Sequence, residues 1–465
     1  MTASGSRSDD VDVVIVGAGV AGLAAARKLH EGGARIAILE ARDRIGGRIL
    51  TLRDDRTPVP IELGAEFVHG TAEEVVDLAR EAGLVICDIH GERWRAARGK
   101  LTPMDEDDFW RQLGRVMGRL DPQRTPDRSF QDFLDRRPGG AALAHQRTLA
   151  REFVEGFHAA DLTRVSERAL ADGGAPEDPD DERQGRILDG YDRVPATLAA
   201  PLERIRLSHV VREIAWEPGR VEVRYTAPPN DGLAGSGTIA ARAAIVTVPL
   251  SVLQQPEGES AITFLPEIED TRRAVDQLAM GTVVRMVLLF REPFWEAKAV
   301  RRRTGGRSLA ELAFLHSSDD DVPVWWTAAP VRAATLVGWT GGRKAARLAM
   351  HDPGEIEERA IAALARQVGM QRRRLASLVE HCWHHDWARD PFTLGAYSYA
   401  LVGGSTAAKR LARPVENTLF FAGEAADDEG RTGTVHGAIG TGYRAAATVL
   451  RLTNHARRPS RPALS

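Results

Sequence analysis

The strongest constraint on the fold is a glycine pattern set between a strand and a helix. Residues 11–16 form a short apolar run rich in β-branched side chains, which stops at Gly17, and Gly17-Ala18-Gly19-Val20-Ala21-Gly22 follows at once. A run of that length and composition predicts a buried strand. The stripe Leu23, Ala24, Ala26, Arg27 and Leu29 predicts a helix ending at Gly32-Gly33, and Ile36–Leu39 predicts a second buried strand. The three elements make one βαβ unit. In such a unit Gly17 permits the tight turn, Gly19 lets backbone approach a pyrophosphate, and Gly22 lets helix pack on strand; the helix N-terminus presents free N–H groups and positive dipole. Gly17, Gly19, Ala21 and Gly22 are therefore candidate dinucleotide contacts.

Glu40 closes the second strand, where a carboxylate accepts ribose hydroxyls and disfavours a 2′-phosphate. Residues 40–48 then read Glu-Ala-Arg-Asp-Arg-Ile-Gly-Gly-Arg. Gly46 and Gly47 leave backbone N–H groups accessible, and Arg42 and Arg48 are forked cations suited to paired phosphates. A simple nicotinamide site has no need of those residues, so the expected dinucleotide is FAD, held by Glu40, Arg42, Gly47 and Arg48 as well as by the glycines.

The chain has 465 residues, more than one hydrophobic core usually supports, so two domains are expected. Its net charge is -3, with arginines and acids interspersed along the length, which points away from nucleic acid. Cys87 and Cys382 are too few for a disulfide framework or a cysteine metal site, and no metal centre is expected. No apolar run reaches the roughly 20 residues that span a bilayer. Residues 1–10 lack the apolar segment of a signal peptide. The expectation is a cytoplasmic protein without a membrane partner, with flexible tails at 1–10 and 454–465. Oligomeric state leaves no signal in the sequence.

Residues 90–193 read as helical and polar with aromatic anchors at Phe109, Trp110, Phe130, Phe133, Phe153 and Phe157, and 172–185 as a solvated loop. Strands are predicted at 210–214, 221–225, 245–248, 283–290, 335–339 and 419–422, a hairpin loop at 227–237, and helices at 355–368 and 437–450. The expected fold class is α/β. A Rossmann-like FAD-binding domain would be built from 11–90, 194–281 and 408–453, and an α+β substrate-binding domain from 91–193 and 282–407, both discontinuous.

With its glycine fingerprint and E-A-R-x-R-x-G-G-R segment, the chain resembles the flavin-containing amine oxidase family. Later blocks extend the likeness: Glu62-Leu63-Gly64-Ala65, Gly190-Tyr191-Asp192-Arg193-Val194-Pro195, Val246-Thr247-Val248-Pro249-Leu250, Gly395-Ala396-Tyr397-Ser398-Tyr399, and Phe421-Ala422-Gly423-Glu424 with Thr434-Val435-His436-Gly437. The pattern is most similar to the polyamine oxidase and lysine-specific histone demethylase branch, without room for the demethylase's long coiled-coil insertion. The resemblance implies that Gly64, Glu66 and Phe67 pass close to the flavin. It also implies that Glu424 meets the ribityl and phosphate region and that Thr434 and Val435 meet the ring. Val211, in the strand at 210–214, joins these flavin contacts. Tyr399 would wall the substrate cavity, and His69 would hydrogen-bond the amine at its mouth; a core tyrosine and a structural histidine are the alternatives. The side chain of Glu66 could also attract a second amino group.

The chain departs from patterns of the family in three places. Arg285 stands where the family usually has the lysine that holds a water against flavin N5, and is a candidate for a slower form of that oxygen chemistry, a sign of another electron acceptor, or a sign of a different substrate. Ser398 precedes Tyr399 where some members carry a flavin-linking cysteine, so a dissociable FAD, released by acid precipitation, is expected. Glu66, Phe67 and Val68 replace the arginine that binds a substrate carboxylate in L-amino acid oxidases, although Arg164 or Arg332 could supply one.

The implied activity is hydride transfer from the α-carbon of a small amine or polyamine to FAD, giving imine, aldehyde and hydrogen peroxide, with molecular oxygen as acceptor. The alternatives are an L-amino acid oxidase, another FAD-dependent oxidase or desaturase, and a flavin-binding protein with reduced turnover.

Overall fold

A computed structural model of the chain describes residues 11–97, 99–173, 183–228, 235–318 and 321–457. It divides into two units, the first built from residues 1–47, 194–278 and 406–465, the second from 48–193 and 279–405.

In the first unit, strand Val13–Val16 lies at the centre of a parallel sheet ordered Ile205–Arg206, Ile36–Leu39, Val13–Val16, Ala243–Val246, Leu419–Phe421. Val13 to Val16 are all buried, as a strand covered on both faces requires. Chain order reverses on either side of this strand. The crevice beyond its C-terminal end is thus the topological switch point where such sheets take ligands. Helix Val20–Glu31 follows directly and packs on helix Val435–Arg457. Gly442 permits that approach, since a Cβ there would fall 2.2 Å from the carbonyl oxygen of Ala21. A second sheet is ordered Ser236–Ala241, Arg220–Thr226, Val210–Glu217, Thr263–Leu265.

The second unit is organised on a sheet ordered Val379–His384, Val283–Phe290, Thr335–Gly341, Val324–Thr327, Leu312–Ser317, Glu92–Ala97, Lys100–Met104. Strand Val283–Phe290 is buried throughout. Its residues Val284, Met286, Leu288 and Phe290 join Ile356, Ala360 and Leu364 of helix Pro353–Val368 in one apolar cluster, while Val287 and Leu289 join a separate cluster on the opposite face. Helices Glu106–Met117, Phe130–Asp135 and Ala144–Gly156 build a further apolar cluster.

Several boundaries differ from the sequence reading. Residues 48–90 belong to the second unit, because Phe67–His69 and Ile86–Asp88 pair with strand Gln184–Ile187, and Ile61 and Leu63 pack with Val287 and Trp326. The segment read as helical from residue 90 opens with a hairpin, Glu92–Ala97 and Lys100–Met104, turned at Gly99 with φ +75°. Helix Val435–Arg457 continues into the segment expected to be a tail. Residues 1–10 and 458–465 lie outside the described residues, as do 174–182 and 229–234 of the two expected loops. Among the described residues no helix is long and apolar enough to cross a membrane, and no His, Cys, Asp and Glu cluster could hold a metal.

Candidate active site

The first unit gathers its candidate residues around the Gly17 turn. Gly17 has φ +104°, and a Cβ on Gly22 would fall 2.0 Å from the Gly17 carbonyl oxygen, so the turn closes only with glycine at both positions. Helix Val20–Glu31 begins at Gly19 with no side-chain cap and no acidic residue in its first turn, so its first-turn N–H groups await an external acceptor. A Cβ on Gly19 would meet nothing within 4 Å. An uncapped positive helix end facing open space fits a pyrophosphate.

Glu40 is buried, with Oε2 accepting Ala18 N–H at 2.7 Å and Oε1 accepting Arg42 N–H at 2.9 Å. Burial pushes its carboxyl up, and those two backbone donors partly offset the rise. Gly46 N–H donates to Ala18 O at 2.9 Å, laying the Gly46-Gly47 turn against the fingerprint. Ser208 N–H donates to Arg42 O and His209 N–H to Glu40 O, which brings strand Val210–Glu217, with buried Val211, to the same place. Glu424 is buried in the turn after strand Leu419–Phe421 and accepts Gly433 N–H at 3.2 Å. Thr434 Oγ1 accepts Gly437 N–H at 3.0 Å and so caps the helix that starts at Val435. The cofactor candidates of the first unit thus lie on the Gly17 turn and its helix, at the end of strand Ile36–Leu39 and the loop that follows it, on strand Val210–Glu217 of the second sheet, and on the turn and helix start after strand Leu419–Phe421.

In the second unit, Gly64 passes so close to Arg48 that a Cβ there would lie 1.9 Å from Arg48 O. The Arg48 guanidinium donates to Ala396 O at 2.7 Å, bracing the 395–397 segment from within its own unit. Arg285 lies on strand Val283–Phe290 opposite Trp339, on the face that carries Val287, Val337 and Trp326. It is only 3% exposed, yet it is an arginine. Its guanidinium donates to Gly64 O at 3.1 Å and pairs with the carboxylate of Glu66. Arg186 Nη2 approaches the other oxygen of Glu66 at 2.8 Å, and Trp326 Nε1 donates to Glu66 at 3.0 Å. Burial alone would raise the Glu66 carboxyl, but Arg186 and Arg285 overcome this and hold it below its ordinary value.

Ring contacts run outward from this cluster. Phe67 lies 5.3 Å from Trp326 and 6.0 Å from His69, and His69 lies 5.9 Å from Phe157, centroid to centroid. Trp326 also meets Trp339, and Phe67 meets Phe314. The sequence reading missed Arg186 and Trp326. The Trp325-Trp326 pair inside an apolar strand was the available signal for the latter; nothing local in Gln-Gly-Arg-Ile marks Arg186.

Tyr399 is placed differently from its expected role. It is buried in the same apolar cluster as Phe130, Phe133, Leu162 and Val165, which is the position of a core tyrosine and not of a cavity wall. Tyr397, two residues earlier, is half-buried and donates its hydroxyl to Phe157 O at 2.6 Å, next to the ring track. Arg332, one of the arginines considered for a substrate carboxylate, is exposed and paired with Glu311. Cys382 is opposite Leu288, on the helix-covered face away from Arg285.

Glu62 accepts Thr51 O–H at 2.6 Å and Tyr191 N–H at 2.8 Å. Burial, with a contribution from Glu66, pushes its carboxyl up to about 7, against the lowering effect of its hydrogen bonds and Arg285. A carboxyl raised in the folded state ionises first in the unfolded chain, so stability is lost as pH climbs from about 4.5 to about 7 and is regained below. Glu62→Gln is expected to make the fall in stability across that range about 1.4 kcal/mol per pH unit less steep. Unfolding by denaturant at a series of pH values measures the slope; an unchanged slope would show that Glu62 titrates normally.

A parallel sheet whose switch point carries a glycine turn, an uncapped helix start and a buried carboxylate at the end of the neighbouring strand defines a dinucleotide-binding fold. Comparison with known proteins gives the particular family: residues 20–450 match the flavin containing amine oxidoreductases. The chain belongs to that family, is an oxidoreductase acting on CH–NH or CH–NH2 groups, and uses FAD. It is 30% identical to polyamine oxidase 3 of Oryza sativa subsp. japonica over 95% of this chain and 89% of the relative. It is 26% identical to lysine-specific histone demethylase 1 homolog 3 of Arabidopsis thaliana over 95% of this chain but only 30% of that protein. Among solved structures, putrescine oxidase bound to putrescine aligns at TM-score 0.77 and 22% identity over 95% of this chain and 99% of that one. Cyclohexylamine oxidase from Brevibacterium oxydans IH-35A aligns at TM-score 0.77 over 96% and 100%. These structures share the fold.

Proposed function

We propose that the chain oxidises a small amine at the carbon bearing nitrogen: a hydride leaves that carbon, the resulting imine adds water, and aldehyde and amine or ammonia separate. The observation that carries this reading is the buried aromatic face of the second unit, in a chain that spans nearly the whole of a polyamine oxidase with a complete dinucleotide turn in the first. When bound, FAD supplies the hydride acceptor. The chain's own part is to bind, dry and align the amine. Rings of Phe67, Trp326 and Trp339 present apolar surface that disfavours the ammonium form, leaving the nitrogen lone pair free to assist hydride departure. Ring faces also attract the cation on arrival. In this reading His69, which lies between Phe67 and Phe157, hydrogen-bonds the nitrogen, and Tyr397 is assigned the wall position first given to Tyr399.

Arg285 replaces a small mobile ammonium with a guanidinium fixed by Glu66 and Gly64 O, so its role is to hold the Gly64 segment in place. Oxygen is the proposed acceptor, taking two electrons and two protons to hydrogen peroxide. The test is anaerobic mixing of the FAD-loaded protein with amines, followed by admission of air. Loss of the visible flavin absorbance with amine and its return with one peroxide per turnover are expected; inertness to every amine would overturn the reading.

A further inference from the structure

On the face of the second unit that carries Arg285, the carboxylate fit to hold a second ammonium group is Glu66, and it is already engaged. Its Oε1 faces Arg186 Nη2 at 2.8 Å, and its Oε2 takes Arg285 and, at 3.0 Å, Trp326 Nε1. Arg285 alone balances the charge of Glu66. Arg186 is the surplus: its guanidinium is 12% exposed and lies 5.7 Å from the Phe67 ring centroid, and the nearby Glu62 carboxyl, pushed up to about 7, offsets its charge only in part. Farther along the same sheet, Arg93 lies 4.4 Å over Phe314 and pairs with Glu106, while Arg95 pairs with Glu152. Burial and those two arginines press His316 down to about 3, so it stays uncharged. A compound with two ammonium groups would carry its second charge toward Arg186, with no free partner at Glu66, and burying an unpaired charge is strongly unfavourable. A single amine on an apolar ring brings no second charge to that place.

We propose that Arg186 is a specificity-determining residue: the second positive charge it places on Glu66, already paired with Arg285, restricts the enzyme to monoamines with an apolar, ring-bearing body and excludes di- and polyamines. This rests on the amine-oxidising reading above. It also departs from the substrate named for the polyamine oxidase relative.

The test compares anaerobic flavin reduction by benzylamine and cyclohexylamine with that by putrescine and spermidine, using the FAD-loaded full chain. The wild type is expected to favour the monoamines at least tenfold in kcat/KM. Arg186→Gln is expected to shift that ratio toward putrescine tenfold or more, through a lower KM for the diamine with kcat little changed, and Arg186→Lys to keep the wild-type ratio. A wild-type preference for diamines, or an unshifted ratio in the glutamine variant, overturns the proposal; the former would point to another carboxylate, first Glu155 of helix Ala144–Gly156. If Arg186→Gln does not fold, quenching of tryptophan fluorescence in the wild type decides: benzyltrimethylammonium must bind more tightly than hexamethonium, and the reverse order overturns the proposal. Flavin reduced by no amine at all would instead defeat the amine-oxidising reading itself.

Discussion

Gly22→Val is expected to give a protein that no longer holds FAD. The added Cβ would fall 2.0 Å from the carbonyl oxygen of Gly17 and 2.8 Å from Thr247 Oγ1, and the first of these is backbone that cannot swing aside. Helix Val20–Glu31 must then move off the central strand, taking its free N–H groups with it. An affinity loss of at least about 100-fold, roughly 3 kcal/mol, is expected in a flavin titration. Gly19→Ala separates cofactor loss from misfolding: its Cβ meets no protein atom within 4 Å, so the fold should survive while the methyl enters the path of the pyrophosphate. Wild-type FAD affinity in Gly19→Ala would remove the pyrophosphate from that turn.

Glu66→Ala is expected to be the most destabilising single change in the second unit. It strips the shared carboxylate from two buried guanidiniums, Arg186 and Arg285, and leaves the Trp326 indole N–H without its acceptor. Breaking a buried ion pair from one side costs about 3–5 kcal/mol, because the remaining charge stays buried. A fall in Tm on the order of 10 °C follows. Removing Arg186 as well should recover part of the loss, since one stranded cation is left in place of two, and the two changes should therefore be strongly non-additive. A simple sum of the single effects in thermal unfolding would show that the three groups do not act as one cluster.

How much of this was readable in advance depended on whether the signal was local. The Gly17 to Gly22 turn, Glu40 and the strands Ile36–Leu39 and Val283–Phe290 follow from neighbouring residues alone, because a tight turn, a helix start and a buried strand each leave a pattern within a few positions. The hairpin Glu92–Ala97 and Lys100–Met104 did not stand out. Trp94 and Ala96 alternate with Arg93 and Arg95, and these arginines stand on the ring-bearing face, so polarity there is not the mark of a solvated helix. Arg186 was invisible for a different reason: its partner Glu66 lies far back in the sequence, and only the pairing of Gln184–Ile187 with Phe67–His69 joins them. Tyr399 shows the limit of a motif. Tyr397 and Tyr399 stand in one short block, and burial among Phe130, Phe133 and Val165 separates the core residue from its neighbour.

The assignment of residues 48–90 to the first domain failed on similar grounds. The glycine-rich continuation runs without a break in composition from Gly47 into Arg48, yet Arg48 donates to Ala396 and its carbonyl receives Ala65 N–H, both within the second unit.

One measurement addresses the central claim without an intermediary: stopped-flow absorbance of the FAD-bound protein after benzylamine is added in the absence of oxygen. Rapid, saturable and stoichiometric reduction of the bound flavin, with benzaldehyde recovered from the mixture, is the predicted result. Flavin that stays oxidised with benzylamine and with every other amine, in a protein shown to bind FAD, would contradict the account.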